Sequence, residues 1–309
     1  MGIDFLSPVG LAAGLDKNAS AVNAFATMGF GWLEVGTVTP LPQPGNPKKR
    51  MFRIASHDAI INRMGFNSCG LEEFLQNLKQ RRTQIPIGIN IGKNAATRVE
   101  KAADDYITCL DAVYRNADYI TVNISSPNTK DLRSLQDDEA LSSLLEKIQN
   151  KRLELTDRLQ RSLPIALKIA PDLDQLQIET IAQLVSHHRV DAVIATNTTT
   201  QRPQIEALPV ASEEGGLSGA PVRELSNNVI RALRKYLDTQ IPIIGVGGIL
   251  TPDDAWGKIE AGASAVQIYT GLIYRGPQLL ASIAERFAYE TRKHRLYSFN
   301  ELVRSIHSN

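Results

Sequence analysis

Cysteine is scarce in this sequence, which has only Cys69 and Cys109 among 309 residues and no CxxC pair. That usage excludes a disulfide framework and a zinc site built from thiolates, so a reducing compartment and no metal are expected. An excess of charge of one sign is also absent, because 34 Lys and Arg residues balance 33 Asp and Glu residues to a net charge of +1. Such a balance argues against nucleic acid as a partner.

Long hydrophobic runs are missing as well. No segment reaches the ~18 consecutive apolar residues of a membrane span, and the N-terminus lacks the basic-then-apolar pattern of a signal peptide. An apolar fraction of 43% with 22% charged residues is ordinary for a folded globular protein and excludes extended disorder. The chain as given is therefore expected to be soluble and cytoplasmic.

The sequence does contain a regular alternation of short apolar runs and helical segments. Eight runs bounded by turn residues predict strands over about residues 9–14, 33–38, 85–91, 119–124, 164–169, 191–196, 241–246 and 264–270. Apolar residues at helical spacing lie between them, as in residues 71–78, 141–148 and 178–185. Eight β-α units favour a closed α/β (β/α)8 TIM barrel. An open doubly wound sheet is the alternative, but its GxGxxG fingerprint is missing.

Three connections are longer than a barrel needs, over residues 39–70, 124–138 and 197–220. The first predicts an extra hairpin through Met51–Ile54 and Ala59–Asn62. All three leave the C-terminal ends of strands, where a barrel of this type has its active site. Since no linker or repeat interrupts the pattern, residues 1–309 are predicted to form a single domain.

Glycine-containing turns are predicted at residues 215–219, 245–248 and 269–271. Glycine lets backbone N–H groups approach an anion, and the helix predicted from Thr251 would point its positive N-terminus the same way. Phosphate sites of such barrels follow the seventh and eighth strands, so the three turns predict a phosphate site. The alternative for each turn is a tight bend without a ligand.

Five asparagines lie at or beyond predicted strand ends, namely Asn62, Asn90, Asn123, Asn128 and Asn197. An amide presents a donor beside an acceptor, which complements a ring that alternates N–H and C=O, such as a pyrimidinedione. A single asparagine at a strand end is more often a turn former. Five of them at one end of a barrel favour binding of such a ring.

Two lysines stand out from their surroundings. Lys168 interrupts the apolar run at residues 164–170, where an ammonium is costly without an anionic partner. We interpret it as facing a ligand in the barrel mouth, and the alternative is an ion pair with a carboxylate on a neighbouring strand. For Lys17, which follows the first strand, a surface pair with Asp16 is as good an interpretation as a role in binding.

A serine follows the fourth predicted strand, because residues 123–129 read Asn-Ile-Ser-Ser-Pro-Asn-Thr. None of the five histidines lies on a predicted strand end, so a Ser-His-Asp hydrolase is not favoured. Ser126 is a candidate proton acceptor in a dry pocket, and the alternative is a hydroxyl that caps the turn before Pro127.

Together these segments resemble the dihydroorotate dehydrogenases, specifically their quinone-dependent second class. The resemblance covers residues 8–18, 36–46, 62–70, 88–94, 123–129, 168–171, 196–199, 215–219, 245–248 and 267–270. It implies the (β/α)8 barrel already inferred and FMN as the cofactor. Ser126 is the class marker, since the first class carries cysteine before this proline. A lesser departure is Ser7 before Pro8, where the family usually has asparagine.

The resemblance also implies roles for individual residues. Matches to flavin contacts are Ala12, Ala13, Gly14, Thr37, Asn90, Asn123, Lys168 and Thr196, with Lys168 near the flavin N1/O2 edge. Matches to the phosphate cradle are Ser218, Gly219, Gly247, Gly248, Tyr269 and Thr270. Matches to the groups that hold the orotate ring and carboxylate are Lys17, Asn62, Asn123, Asn128, Asn197 and Thr198.

By the same resemblance, Ser126 removes the C5 proton of dihydroorotate while the C6 hydride passes to flavin N5. Thr129 and a water would relay the proton beside Phe66, and the loop at residues 124–138 would act as a lid. Electrons would then pass to a membrane quinone along a path that includes Arg53 and Tyr269. The family's N-terminal helical pair has no counterpart in this chain, which starts just before the barrel. Peripheral contact with the cytoplasmic face of a membrane is therefore expected only if an N-terminal extension is present.

Two other interpretations are open. One is a different FMN barrel that acts on uracil-like rings in RNA, which the balanced charge and the lack of a basic stripe disfavour. The other is a non-catalytic phosphate-binding barrel, which would need neither a lysine beneath a cofactor nor a loop serine.

Overall fold

The computed structural model describes residues 1–129 and 131–307. Its barrel strands are β1 (Val9–Leu11), β2 (Trp32–Val38), β5 (Ile87–Ile91), β6 (Tyr119–Asn123), β7 (Ile165–Ile169), β8 (Ala192–Ala195), β10 (Ile243–Val246) and β11 (Ala265–Ile268). All are parallel to their neighbours and close in the order β1-β11-β10-β8-β7-β6-β5-β2. The predicted (β/α)8 TIM barrel and its eight strands are confirmed. The open-sheet alternative is wrong because β1 pairs with both β11 and β2.

Helices surround the barrel. They are α1 (Val22–Ala26), α2 (Gly70–Leu78), α3 (Ala102–Val113), α4 (Asp138–Leu159), α5 (Gln175–His187), α6 (Arg223–Tyr236), α7 (Pro252–Glu260), α8 (Thr270–Arg275), α9 (Gln278–Lys293) and α10 (Phe299–His307). The three segments with helical spacing are α2, α4 and α5, as predicted. Thr251 caps α7, since its hydroxyl accepts from the backbone N–H of Asp254 at 3.2 Å. Among the described residues, no helix has the length and apolarity to cross a membrane.

A second sheet lies over the barrel mouth. It is antiparallel and contains β3 (Met51–Ile54), β4 (Ala59–Asn62) and β9 (Gly216–Gly219), in the order β3-β4-β9. The hairpin predicted between β3 and β4 is confirmed. The turn predicted at residues 215–219 is wrong, because most of it forms β9 on β4. Gly219 has a φ of +98°, and an added Cβ would lie 2.1 Å from the carbonyl oxygen of Asp58, so glycine there permits a close backbone approach.

The predicted end of the last strand, at residue 270, is also too late. The ladder ends at Ile268, and Thr270 begins helix α8. Similarly, β1 ends at Leu11, three residues before the apolar run does. In both places the chain leaves the sheet at the C-terminal end of a strand and enters the barrel mouth.

Side chains of the barrel strands alternate between the barrel interior and the helical layer. On β2, Leu33 and Val35 pack in the outer core, whereas Trp32 packs with Tyr119 in the interior. The same alternation turns Glu34 and Lys168 inward. The far end of the barrel is closed by Phe5, whose ring stacks on Trp32 with a centroid distance of 4.1 Å.

Glycines make room for the large rings of the interior. A Cβ added to Gly88 would lie 2.1 Å from Cζ of Tyr119, and one added to Gly10 would lie 2.1 Å from Cε2 of Trp32. Neither glycine has a left-handed backbone, so the reason for glycine here is space. By contrast, no atom lies within 4 Å of a Cβ added to Gly257, in the middle of α7.

We therefore predict opposite effects of two glycine substitutions on the midpoint of urea unfolding. Gly88→Ala is expected to lower stability by about 1–3 kcal/mol, because the methyl group must displace the Tyr119 ring. Gly257→Ala is expected to raise stability by about 0.5–1 kcal/mol, because alanine favours a helix and nothing obstructs its methyl group. A tolerated Gly88→Ala variant would contradict the interior packing described here.

Candidate active site

A deep cavity opens at the C-terminal end of the barrel. Its empty volume is about 990 Å³, a figure that includes the open solvent of the mouth. Twenty predicted site residues line it, namely Ala12, Ala13, Gly14, Lys17, Thr37, Asn62, Phe66, Asn123, Ser126, Asn128, Lys168, Thr196, Asn197, Thr198, Ser218, Gly219, Gly247, Gly248, Tyr269 and Thr270.

Three predicted site residues are not part of the cavity wall. Asn90 lies beneath it, fully buried, where it accepts from the Thr37 hydroxyl at 2.5 Å. Thr129 is buried behind the wall, and its hydroxyl has no hydrogen-bond partner among the described residues. Arg53 is exposed on β3, outside the cavity.

Glycine turns form one side of the cavity. Gly247 and Gly248 follow β10 with φ values of +115° and +75°. Beside them the Thr270 hydroxyl donates to the Ser218 hydroxyl at 2.8 Å, which joins the start of α8 to β9. The backbone of the two glycines and the two hydroxyls together form a cradle of the kind that holds a phosphate.

The N–H groups at the start of α7, the helix predicted to point at this cradle, are bonded to side chains of the helix itself. The backbone N–H groups of Leu250 and Thr251 donate to the Asp254 carboxylate, at 3.0 and 2.9 Å. Asp254 also pairs with Arg223 at 2.8 Å, so the start of α7 is satisfied within the chain. Helix α8 begins at Thr270, in the cavity wall.

Asparagine amides form the other side of the cavity. The Asn197 amide donates to Asn123 Oδ1 at 3.4 Å, and the Asn128 amide donates to Asn62 Oδ1 at 3.2 Å. Asn123 ends β6, which is four strands away from β11 around the eight-stranded barrel. The amides therefore lie across the mouth from the glycine cradle, and a ligand that reaches both must span the barrel.

Between the two sides, Lys168 lies in the cavity floor. It is buried on β7, and its Nζ is 4.0 Å from Oε1 of Glu34, which is fully buried on β2. Burial lowers the pKa of Lys168, and the charge of Glu34 partly offsets that effect. Lys168 therefore lines the cavity and pairs with a carboxylate, which lies on β2 rather than on a strand beside β7.

Glu34 and Gln267 were not singled out from the sequence. Gln267 lines the cavity floor and donates from Nε2 to Glu34 Oε2 at 2.8 Å. The signal that identified Lys168, a polar residue within an apolar strand, is also present at both positions. Applied to every strand, it would have found them.

Lys17 is the second cation of the cavity. It makes no ion pair with any of the residues 1–129 and 131–307, because the Asp16 carboxylate instead accepts from the backbone N–H groups of Ser20 and Ala21, both at 2.9 Å. The predicted alternative, a pair between Lys17 and Asp16, is wrong. Burial lowers the pKa of Lys17 to about 8, and the positive charge of Arg50 contributes.

Ser126 is buried in the cavity wall, and its hydroxyl accepts from the backbone N–H of Asn128 at 3.3 Å. The hydroxyl thus caps the turn before Pro127 and faces the cavity as well. Throughout the described part of the chain, no histidine lines this cavity, so nothing there resembles a Ser-His-Asp triad.

Arg133 joins the connection at residues 124–138 to the connections that follow the next two strands of the barrel. Its guanidinium donates to the Ser125 carbonyl at 3.2 Å and to the Thr198 carbonyl at 2.9 Å, and it pairs with Asp172 at 2.7 Å. Arg133 therefore joins the connections that follow β6, β7 and β8. Position 130 of the predicted lid lies outside the described residues.

Comparisons with known proteins agree with this geometry. A model of the family described as dihydroorotate dehydrogenase matches residues 1–290. The chain is 58% identical over 288 residues to dihydroorotate dehydrogenase (quinone) of Thiobacillus denitrificans, covering 93% of this chain and 86% of the relative. It is 55% identical over 298 residues to the enzyme of the same name from Dechloromonas aromatica, covering 95% and 85%. The crystal structure of DHODH from Eimeria tenella in complex with ferulenol matches with a TM-score of 0.91 and 40% identity, over 98% of this chain and 86% of that one.

The bonds of Arg133 predict how the loop at residues 124–138 opens. Arg133→Met is expected to speed amide hydrogen exchange in this loop at least ~10-fold, because each hydrogen bond to a charged group is worth about 1.5–3 kcal/mol. Arg158→Met, which removes an exposed ion pair with Asp111, is the matched control and should leave the loop unchanged. Equal exchange in the two variants would contradict the role given to Arg133.

Proposed function

The chain belongs to the dihydroorotate dehydrogenase family, and from that membership we propose which residues hold the cofactor, bind the substrate and move the proton. Its activity is the oxidation of dihydroorotate to orotate in pyrimidine biosynthesis, with quinone as the electron acceptor. The observation that carries the proposal is Lys168 in the floor of one cavity, between a glycine cradle on one side and a set of amides on the other.

In this proposal the flavin implied by the family is FMN. Residues 1–309 bind it as a single domain. Two features of the cavity fit it. The cradle of Gly247, Gly248, Ser218 and Thr270 suits a terminal phosphate, and the Lys168 ammonium suits a ring edge that becomes electron-rich on reduction. The buried Oδ1 of Asn128 also has no partner in the described chain, as expected of a group that meets a ligand. When bound, FMN would supply a two-electron acceptor for the hydride that leaves C6 of dihydroorotate.

The amide side of the cavity binds the pyrimidine ring. Asn62 and Asn128 are hydrogen-bonded to each other, and Asn123 and Asn197 are linked in the same way, so each pair is held in a fixed orientation. Such pairs present fixed donors and acceptors to a ring that carries both. Lys17, without an ion pair among the residues described, is available for the substrate carboxylate, and Thr198 completes the wall.

Ser126 takes the C5 proton of dihydroorotate. Its hydroxyl is fixed by the Asn128 N–H and is buried, so bulk water does not compete for the proton. Thr129, whose buried hydroxyl has no partner among the residues 1–129 and 131–307, passes the proton on, and Phe66 in the cavity wall keeps this path dry. The loop held by Arg133 closes the site during the reaction.

Electrons leave toward quinone on the side of Tyr269 and the β3–β4 hairpin. Tyr269 is in the cavity wall, and Arg53 is exposed on β3, close to the exposed Met51. A quinone resides in a membrane, so we propose peripheral contact with the cytoplasmic membrane face when an N-terminal extension is present. Nucleic acid has no part in this function.

The role of Ser126 is tested by stopped-flow reduction of the purified, FMN-loaded protein with dihydroorotate. Ser126→Ala is expected to slow flavin reduction by about 10²–10⁴-fold, the range for loss of a general base. Ser282→Ala, which removes a serine hydroxyl on α9 far from the cavity, should react at the wild-type rate. A wild-type rate in Ser126→Ala would overturn the assignment of the base, whereas a protein that takes up no FMN would overturn the proposed cofactor.

The pKa of Lys17 predicts how orotate binding depends on pH. The ammonium binds the carboxylate and is lost as pH rises through about 8, so affinity is constant at lower pH and falls above it. The dissociation constant should rise about fivefold from pH 8 to pH 9. Lys17→Arg should remove this dependence because arginine stays charged, and Lys17→Met should bind weakly at both pH values. If the dissociation constant of orotate still rises with pH in Lys17→Arg, the group that titrates is not Lys17.

A further inference from the structure

Glu34 is a carboxylate inside the barrel, and its position is fixed from three directions. Its Oε1 accepts from the Asn90 amide at 2.8 Å. Its Oε2 accepts from the Tyr119 hydroxyl at 2.9 Å and from the Gln267 amide at 2.8 Å. Three donors that point at one carboxylate hold it in a single orientation.

The fourth neighbour of Glu34 is the Lys168 ammonium, 4.0 Å from Oε1. On the strands that flank β7, the residues in register with Lys168 are Asn123 on β6 and Ile194 on β8, and neither carries a charge. Tyr119 is the other titratable group of the floor, and burial and Glu34 raise its pKa, so it stays neutral. Within the described chain, Glu34 is therefore the carboxylate that compensates the charge of Lys168.

We propose that Glu34 is a positioning residue, which keeps Lys168 protonated and fixed in the cavity floor before negative charge develops on the flavin. This inference rests on the proposed function, since it assigns the ammonium to a flavin. Glu34 itself forms no part of the cavity wall and acts only through Lys168.

The physical reason is the cost of a buried ammonium. Burial lowers the pKa of Lys168, and among residues 1–129 and 131–307 the charge that raises it again is that of Glu34. Without Glu34, the ammonium would release its proton while the flavin is oxidised and neutral. Reduction of the flavin by two electrons would then be accompanied by uptake of one additional proton at Lys168 Nζ, because negative charge on the ring favours the protonated amine.

The experiment is a redox titration of the FMN-loaded protein at several pH values between 6 and 9. In wild type, the charge of Glu34 opposes loss of the Lys168 proton, so Lys168 is expected to take up no proton on reduction. In Glu34→Gln, the midpoint potential should fall more steeply with pH, by one additional proton per two electrons. That difference is about 30 mV per pH unit, the value of a tenfold change for a two-electron couple.

Two variants control for other effects of the substitution. Glu34→Gln combined with Lys168→Met has no ammonium to titrate, so its pH dependence should have the wild-type slope. Tyr119→Phe removes one hydrogen bond to Glu34 but leaves both charges, and it should also have that slope. Glu34→Asp serves as a further variant if Glu34→Gln does not retain FMN. It keeps the negative charge but moves it away from Lys168 Nζ. The midpoint potential of Glu34→Asp should therefore fall more steeply than that of wild type only at higher pH.

A steeper slope in Glu34→Gln that disappears in the double variant supports the proposal. Equal slopes in Glu34→Gln and wild type overturn it, and so does a steeper slope in Tyr119→Phe, which would indicate general disruption of the floor. These outcomes are separate from a failure of the proposed function, in which the wild-type protein would neither bind FMN nor be reduced by dihydroorotate.

Discussion

The site depends on one buried ion pair, between Lys168 on β7 and Glu34 on β2. Two charges inside a barrel are costly to remove from water, and they persist only where hydrogen bonds satisfy them. Here Asn90, Tyr119 and Gln267, from three further strands, all donate to Glu34. Five of the eight barrel strands thus meet at one carboxylate, and the pair defines the floor of the cavity above it.

The order of the strands around the barrel determines which residues face each other in the site. Because β6 and β11 are four strands apart, the amides near Asn123 and the turn near Thr270 face each other across the mouth. The small antiparallel sheet narrows this mouth, since β9 carries Ser218 from the long connection after β8 into contact with Thr270. Arg133 then fixes three connections together at the other side. The result is one cavity, with the glycine cradle on one side and the asparagine amides on the other.

Much of this arrangement could be predicted from the sequence, and the remainder depends on contacts between distant segments. Apolar runs predicted all eight strands, and a lysine within one of them identified Lys168. The pairing of β9 with β4 was missed because two strands more than 150 residues apart give no local signal, and glycines suggested a turn. The bonding at the start of α7 was missed for a different reason, because Asp254 is only three or four residues from the N–H groups that donate to it and its carboxylate was not considered as their partner.

A crystal structure of the purified protein with orotate would most directly test the role of Lys168 in the cavity floor. We expect an FMN molecule that stacks on orotate held by Asn123 and Asn197. Its ring edge should lie within hydrogen-bond distance of Lys168 Nζ, and its phosphate should contact Gly247 and Gly248. A cavity without flavin, or a flavin bound so that Lys168 contacts only Glu34, would contradict that role.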